Sequence, residues 1–259
     1  MKKIFSILIL SLLLLTGCTK KEEIEDSYDK IVKRDLLIVG VKEDSKPLGY
    51  ISEITKEHEG FDIDIARYIA QDILGSERKI KFIGVTPSTK VEAITSGQVD
   101  MVIAAMSVTP QRQYFIDFSD PYYVAGQSAI VKKDSNIHTF SDLKKKTTIV
   151  VLGSTAESNI RRIIPTAKII GYKNYDEAFK ALEEGIGDAM STDNTILSGY
   201  LIDHEGYRML KNKISTEPYA IGIKQTENEK KLKNNLNVII NRMHKDGTIK
   251  SLKEKWNLK

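Results

Sequence analysis

The stretch Ala93-Ile-Thr-Ser-Gly-Gln-Val-Asp100 is matched further along the chain by Ala181-Leu-Glu-Glu-Gly-Ile-Gly-Asp188. In both copies the pattern predicts a helix that ends at glycine and a strand that begins at aspartate. Glycine is favoured after a last helical turn because it adopts the left-handed conformation without steric cost. The repeat therefore predicts two similar lobes in one chain.

Strand and helix patterns alternate around both copies. The apolar run 36–41 predicts a buried strand, and the run 99–106 predicts another with apolar residues on both faces. An apolar stripe typical of a helix recurs every fourth residue at Phe61, Ile65, Ile69 and Ile73. The same order recurs in 147–203, so the sequence predicts a two-lobed α/β fold with parallel sheets. The ligand cleft is expected at the carboxyl ends of the strands.

The predicted domain boundaries follow from this order. They are a signal peptide (1–17), a lipidated cysteine and tether (18–35), lobe 1 (36–121 plus 220–259), two hinge crossings (122–126 and 215–219) and lobe 2 (127–214). Closure about the hinge is the expected motion.

The N-terminus predicts export. Lys2 and Lys3 precede the apolar run 4–15, which is shorter than the roughly 20 residues of a spanning helix. Leu15-Thr-Gly-Cys18 resembles a bacterial lipobox, so we expect a lipid on Cys18 that holds the protein at the outer face of the membrane, or in the periplasm. The alternative is an ordinary signal peptide with an incidental cysteine. Cys18 is the single cysteine, which excludes an intramolecular disulfide.

Charge and composition argue against a nucleic-acid partner. The formal net charge is +4, with 39 basic and 35 acidic residues, and aromatic residues make up 7%. Nucleic-acid binding requires clustered basic residues, and here both signs are interspersed along the chain.

Arg112 is a candidate anion-binding residue. Thr109-Pro110 predicts a helix start, which places Arg112 in the first turn, where the helix dipole disfavours a cation. A guanidinium can hold a carboxylate with two parallel hydrogen bonds. The alternative is a structural arginine that pairs with Asp117 or Asp120.

Two further candidates lie in the second half of the chain. Thr155 begins a predicted helix, where free backbone N–H groups favour an anion, although ordinary capping is the alternative. Asp193 ends a predicted strand and can accept an ammonium group, or instead cap the helix that follows. Together with Arg112, these residues supply the two charges that an α-amino acid needs.

Motifs spread from Leu36 to Trp256 resemble one known family. They are Val39-Gly-Val-Lys-Glu-Asp44, Gly60-Phe-Asp-Ile-Asp64, Ser96-Gly-Gln-Val-Asp100, Thr109-Pro-Gln-Arg112 and Asp117-Phe-Ser-Asp-Pro-Tyr-Tyr123. The chain resembles the polar amino acid-binding family of ABC-importer solute-binding proteins (bacterial extracellular solute-binding family 3). Within it, the chain looks most similar to the aspartate/glutamate-binding members.

The resemblance implies a role for each matching residue. Arg112 would hold the ligand α-carboxylate, with Thr155 donating from the second lobe. Ser107, the backbone carbonyl of Ala105 and the carboxylate of Asp193 would surround the ammonium group. Lys42 and Lys90 would read the ligand side chain; relatives usually carry arginine at the latter position. The alternative for each lysine is that it points into solvent or pairs with an acid such as Glu43 or Glu92.

The expected function is therefore capture of a polar L-amino acid for an ABC importer. Glutamate or aspartate is the expected ligand, because two lysines occupy side-chain positions, and glutamine is the alternative. The expected partners are the permease subunits and, through Cys18, the membrane; we expect a monomer without metal, cofactor or catalytic residues. A dehydratase-like enzyme on the same fold is the alternative from a different class.

Overall fold

The structure, a computed structural model, describes residues 25–226 and 230–258. Its strands are β1 (Leu37–Val41), β2 (Asp44–Ser45), β3 (Gly49–Ile51), β4 (His58–Glu59), β5 (Ile80–Gly84), β6 (Met101–Val102), β7 (Ile116–Phe118), β8 (Tyr123–Ala125), β9 (Gln127–Lys132), β10 (Thr147–Val151), β11 (Lys168–Tyr172), β12 (Ala189–Asp193), β13 (Tyr207–Met209), β14 (Glu217–Tyr219) and β15 (Gly222–Lys224). Its α-helices are α1 (Ser27–Arg34), α2 (Phe61–Leu74), α3 (Lys90–Thr95), α4 (Pro110–Gln113), α5 (Thr155–Ile163), α6 (Tyr175–Glu183), α7 (Asn194–Asp203), α8 (Lys230–Lys245) and α9 (Thr248–Lys255).

Two five-stranded sheets of the same design form the two lobes. Their strand orders are β5-β1-β6-β15-β7 and β11-β10-β12-β9-β13. In each sheet three neighbouring strands pair parallel, and a fourth, β15 or β9, runs antiparallel between them and the edge strand, so both sheets are mixed rather than purely parallel. The predicted two-lobed α/β fold is confirmed.

The repeated sequence has the same structural role in both lobes. Gly97 and Gly185 end helices with φ of 77° and 75°. Asp100 then accepts the backbone N–H of Ile38 at 2.7 Å, and Asp188 accepts that of Thr147 at 2.8 Å. Each aspartate thus ties the start of one parallel strand to its neighbour, which explains why the chain repeats it.

The predicted stripe of α2 packs in the core. Phe61, Ile65 and Ile69 are fully buried, and Ile73 is partly buried at the helix end. The C-terminal helices α8 and α9 also pack against α2, so the chain returns to the first lobe, as expected.

Strands β8 and β14 pair antiparallel where the chain passes between the two sheets. They lie within the segments predicted as crossings. The remaining small sheet, β2-β3-β4, projects beside the first lobe. In the described ranges, the structure contains no helix with the length and apolar character required to span a membrane.

Two sequence predictions are corrected here. The strand predicted over 99–106 is limited to Met101–Val102, because the chain then leaves the sheet and Ala105 adopts a φ of 44°. The predicted tether includes α1, which buries Ile31 and pairs Arg34 with Asp100. The signal peptide and Cys18 lie outside the described residues.

Candidate functional site

The candidate residues gather where the central strands of both lobes end. Lys42 directly follows β1, and Asp193 is the last residue of β12. Ala105 and Ser107 lie just beyond β6, while Thr155 opens the helix after β10. Carboxyl ends of parallel strands are the usual ligand-binding edge of such sheets. The topology therefore brings these residues of both lobes to the same edge of the two sheets, although among the candidate residues only Arg112 and Thr155 line the groove described below.

Arg112 connects the two lobes through backbone carbonyls. Its Nη1 donates to the carbonyl of Ser107 at 2.8 Å, and its Nη2 donates to that of Gly153 at 3.3 Å. Pairing with Asp117 or Asp120, the structural alternative, is not observed: Asp117 pairs with Lys233, and Asp120 accepts from Asn241. Both acceptors of Arg112 are neutral, so its charge is not balanced by them. A guanidinium carries about five N–H donors, and those not used in these two bonds can hold a carboxylate.

Burial lowers the pKa of Arg112, and nearby Asp193 acts most strongly in the opposite direction. A partly desolvated guanidinium forms strong, charge-assisted hydrogen bonds with a carboxylate. The position of Arg112 thus suits the α-carboxylate of an amino acid.

Asp193 has one satisfied and one unsatisfied oxygen. Its Oδ2 accepts the hydroxyl of Tyr219 at 2.6 Å, whereas its Oδ1 is buried without a hydrogen-bond partner among the described residues. Asp193 sits at the N-cap of α7, yet its side chain makes no capping bond. The capping alternative is therefore wrong. A buried, unpaired carboxylate oxygen is costly, and an ammonium donor would satisfy it.

The two lysines are buried and already have partners. Lys42 is 2% exposed, and its Nζ lies 2.6 Å from Oδ1 of Asp44. Lys90 is 3% exposed, with its Nζ 3.4 Å and 3.3 Å from the carbonyls of Ala104 and Ala105. Burial lowers the pKa of both lysines, and that of Lys90 falls well below its usual range. The solvent-facing alternative is wrong for both, and the acid that pairs with Lys42 is neither Glu43 nor Glu92.

Ala105 and Ser107 form the inner wall of this region. The backbone N–H of Ala105 donates to Asp62 at 2.8 Å, while its carbonyl faces Lys90. Ser107 is 2% exposed and bridges to Tyr219 on the returning crossing strand. These contacts hold the ends of β6 and β14 together beside Asp193.

Thr155 opens α5, next to Ser154 at the N-cap. The Ser154 side chain makes no capping bond, and its buried hydroxyl oxygen has no partner within the described chain. The first turn of α5 is therefore available to an anion. Thr155 and Arg112 line a groove of about 940 Å³ whose wall comes from both lobes.

Four residues of this region were not predicted as site residues: Asp44, Asp62, Tyr175 and Tyr219. Asp62 is fully buried, and its second oxygen accepts the hydroxyl of Tyr122 at 3.0 Å. Its place between the apolar residues Phe61 and Ile63 was the available sequence signal. The ring of Tyr175 lies under the Lys42 ammonium, with 4.7 Å from Nζ to the centroid.

Ligand affinity is expected to fall in acid. Burial raises the pKa of Asp193 to about 6, and the nearby carboxylate of Glu217 contributes to the rise. The Tyr219 hydroxyl and the cations Lys90 and Arg112 act in the opposite direction. A ligand ammonium requires the ionised carboxylate, so affinity should be constant above this pKa and decline below it, by up to tenfold per pH unit. Calorimetry in two buffers of different ionisation enthalpy should detect proton release on binding at about pH 5 but not at about pH 8. Equal affinity at both pH values would contradict this role for Asp193.

Comparison with known proteins places these features in one family. The model of the bacterial extracellular solute-binding proteins, family 3, matches residues 37–259. The ABC transporter glutamine-binding protein of Bacillus subtilis (strain 168) is 38% identical, covering 99% of this chain and 97% of the relative. The glutamine-binding protein of Geobacillus stearothermophilus is 41% identical, covering 86% and 91%.

Other relatives are less similar in sequence. A glutamate-binding protein of Corynebacterium efficiens is 30% identical, covering 93% of this chain and 84% of the relative. Among solved structures, the cysteine-binding protein of Campylobacter jejuni superimposes with a TM-score of 0.85 at 32% identity, covering 89% and 92%. Of these relatives, the glutamine-binding proteins resemble the chain more than the glutamate-binding one does.

Proposed function

This chain belongs to the bacterial extracellular solute-binding proteins, family 3, and we propose that the amino acid it carries to its ABC importer is L-glutamine. The ion pair between Lys42 and Asp44 is the observation that carries the proposal. The glutamine-binding relatives, at 38% and 41% identity, support it independently.

Charge balance favours an amide over a carboxylate side chain. The Lys42 ammonium already has a carboxylate at 2.6 Å, and Lys90 lies against two neutral carbonyls. The charge of Lys42 is thus already balanced, and burial lowers the pKa of Lys90 well below its usual range, which weakens its demand for an anionic ligand. An amide can accept a hydrogen bond and donate two without adding charge to this buried region. Glutamate and aspartate, expected from the two lysines, are therefore not the ligands we propose.

The other groups of glutamine fit the remaining site residues. In this proposal Arg112 and Thr155 hold the α-carboxylate, and Asp193 accepts the ammonium group alongside Ser107 and the Ala105 carbonyl. Lys90 donates to the side-chain amide oxygen. The lobes close about the crossings at 122–126 and 215–219. Since the relatives above are binding proteins, we propose capture and delivery without catalysis.

A thermal-shift screen against the common amino acids tests the proposal. Ligand that binds only the native state stabilises it by roughly 2.7 kcal/mol at a hundredfold excess over Kd. Glutamine is expected to give the largest rise in melting temperature, and a clearly larger one than glutamate. A larger rise with arginine, cysteine or aspartate would identify a different ligand and refute the proposal.

We also propose that a lipid on Cys18 anchors the protein as a monomer beside the permease. Replacing Cys18 by serine should release the protein into the medium or periplasm, or leave its signal uncut. Cell fractionation followed by immunoblotting measures this. Recovery of a normally processed Cys18→Ser protein in the membrane fraction would contradict lipidation.

A further inference from the structure

We propose that Asp44 determines specificity by occupying the Lys42 ammonium and so excluding amino acids with an acidic side chain. This inference rests on the proposed function, since it concerns how that site distinguishes an amide from a carboxylate. It goes beyond that function because it assigns the selection of glutamine over glutamate to Asp44, which is not one of the predicted site residues.

The Asp44 carboxylate is held in place by three donors. Its Oδ1 receives Lys42 Nζ at 2.6 Å and the hydroxyl of Ser45 at 2.9 Å. Its Oδ2 accepts the backbone N–H of Tyr175 at 3.0 Å. The carboxylate therefore cannot swing away from Lys42 without losing two other hydrogen bonds.

One of these donors comes from the opposite lobe. Tyr175 is the first residue of α6, which packs on the second sheet, while Asp44 follows the first strand of the first sheet. The hydroxyl of Tyr200, also in the second lobe, donates to the Asp44 carbonyl at 3.3 Å. A carboxylate at the N-terminus of a helix is further favoured by the helix dipole. Contact between the lobes thus fixes the carboxylate on Lys42.

The lobes meet closely at this point. A Cβ at Gly199 would lie 2.0 Å from the backbone carbonyl oxygen of Lys46, so any side chain there would push the lobes apart. Lys42 and Asp44 lie close to this contact in the chain, and their side chains are 2% and 14% exposed.

The Lys42–Asp44 pair belongs to the same charged cluster as the amino-acid site. Tyr175, whose ring lies 4.7 Å from the Lys42 ammonium, accepts the hydroxyl of Thr192, the residue before Asp193, at 3.3 Å. Lys42 also interacts with Lys90. A ligand side chain between these residues would encounter the Lys42 ammonium with a carboxylate already bound to it.

The consequence is selection against a second carboxylate. A glutamate side chain here would face the carboxylate of Asp44, with the acidic side chain of Asp176 nearby. Like charges in a region of low dielectric repel strongly, whereas a neutral amide avoids this cost. Asp44 therefore acts by making the wrong ligand unfavourable.

Calorimetric titration of the wild type and Asp44→Asn with glutamine and glutamate tests this inference. Asparagine keeps the shape and can still accept from Tyr175, but it removes the charge. Glutamate affinity should rise at least tenfold relative to glutamine affinity. Asp44→Ser, which removes the carboxylate entirely, should change the ratio in the same direction and serves if the asparagine variant does not fold.

Two matched controls distinguish the effect of the Asp44 charge on Lys42 from the effects of a neighbouring charge and of the contact between the lobes. Glu43→Gln removes the neighbouring charge, whose carboxylate pairs with His58 at 2.9 Å, and should leave the ratio unchanged. Tyr200→Phe removes a contact between the lobes without altering charge and should weaken both ligands equally.

The outcomes distinguish this inference from the proposed function. If the wild type prefers glutamine but neither Asp44 variant shifts the ratio, the inference is overturned and the proposed function stands. If the wild type prefers glutamate, or binds neither ligand, the proposed function fails and this inference fails with it.

Discussion

Replacing Arg112 by alanine is expected to weaken amino-acid binding severely in a protein that still folds. A ligand α-carboxylate would lose its cationic partner in a buried site, a change that costs about 2–5 kcal/mol. Because each 1.4 kcal/mol corresponds to a tenfold change, this is a loss of roughly 30-fold to several thousandfold. Calorimetry measures the affinity, and circular dichroism checks the fold.

Two variants sharpen this test. Arg112→Lys keeps the charge but not the planar fork, so it should restore only a small part of the affinity. Arg161→Ala is the matched control, because Arg161 lines the same groove but has a 61% exposed side chain and pairs with Glu157. Wild-type affinity in Arg112→Ala would show that the α-carboxylate binds elsewhere.

Replacing Asp193 by asparagine is expected to cost about 2–4 kcal/mol of binding free energy, because the ligand ammonium would lose its charged acceptor. Asparagine can still accept the Tyr219 hydroxyl, so the local structure should persist. The ligand-free variant should be no less stable than the wild type, since ionised Asp193 buries an unpaired oxygen. Calorimetry and thermal unfolding of the ligand-free protein measure the two effects.

Asp203→Asn is the matched control for this change. Asp203 ends the helix that Asp193 precedes, and it is exposed. The Asp203→Asn protein should therefore bind its ligand with the affinity of the wild type. If Asp193→Asn lost stability but kept its affinity, Asp193 would be a structural residue.

Local pattern was sufficient to predict the architecture. The sequence motif around Gly97 is repeated around Gly185 because the aspartate that follows each glycine connects two parallel strands by a hydrogen bond. Local signals of this kind, glycine caps and an apolar stripe, act over a few residues. They therefore survive in a single sequence without knowledge of the tertiary fold.

Long-range contacts set the features that sequence analysis missed. The left-handed backbone at Ala105 depends on a hydrogen bond to Asp62, far away in the chain. Likewise, the sequence also suited Asp193 to capping, and its actual partner, Tyr219, comes from the distant crossing strand. No local periodicity encodes such partners.

The partner of Lys42 was within reach of sequence reasoning. Residues two apart in an extended chain lie on the same face, which makes Asp44 a better candidate than its neighbour Glu43. Recognising that pair would have neutralised the argument for an acidic ligand. In our proposal, specificity therefore depends on one short-range ion pair rather than on the number of lysines.

Calorimetric titration of the wild type with glutamine and with glutamate, at neutral pH, tests the central claim most directly. We expect glutamine to bind at least tenfold more tightly, because the Lys42 ammonium at the proposed side-chain end of the site already holds the Asp44 carboxylate. Equal or tighter binding of glutamate would contradict the proposal that this protein is a glutamine carrier.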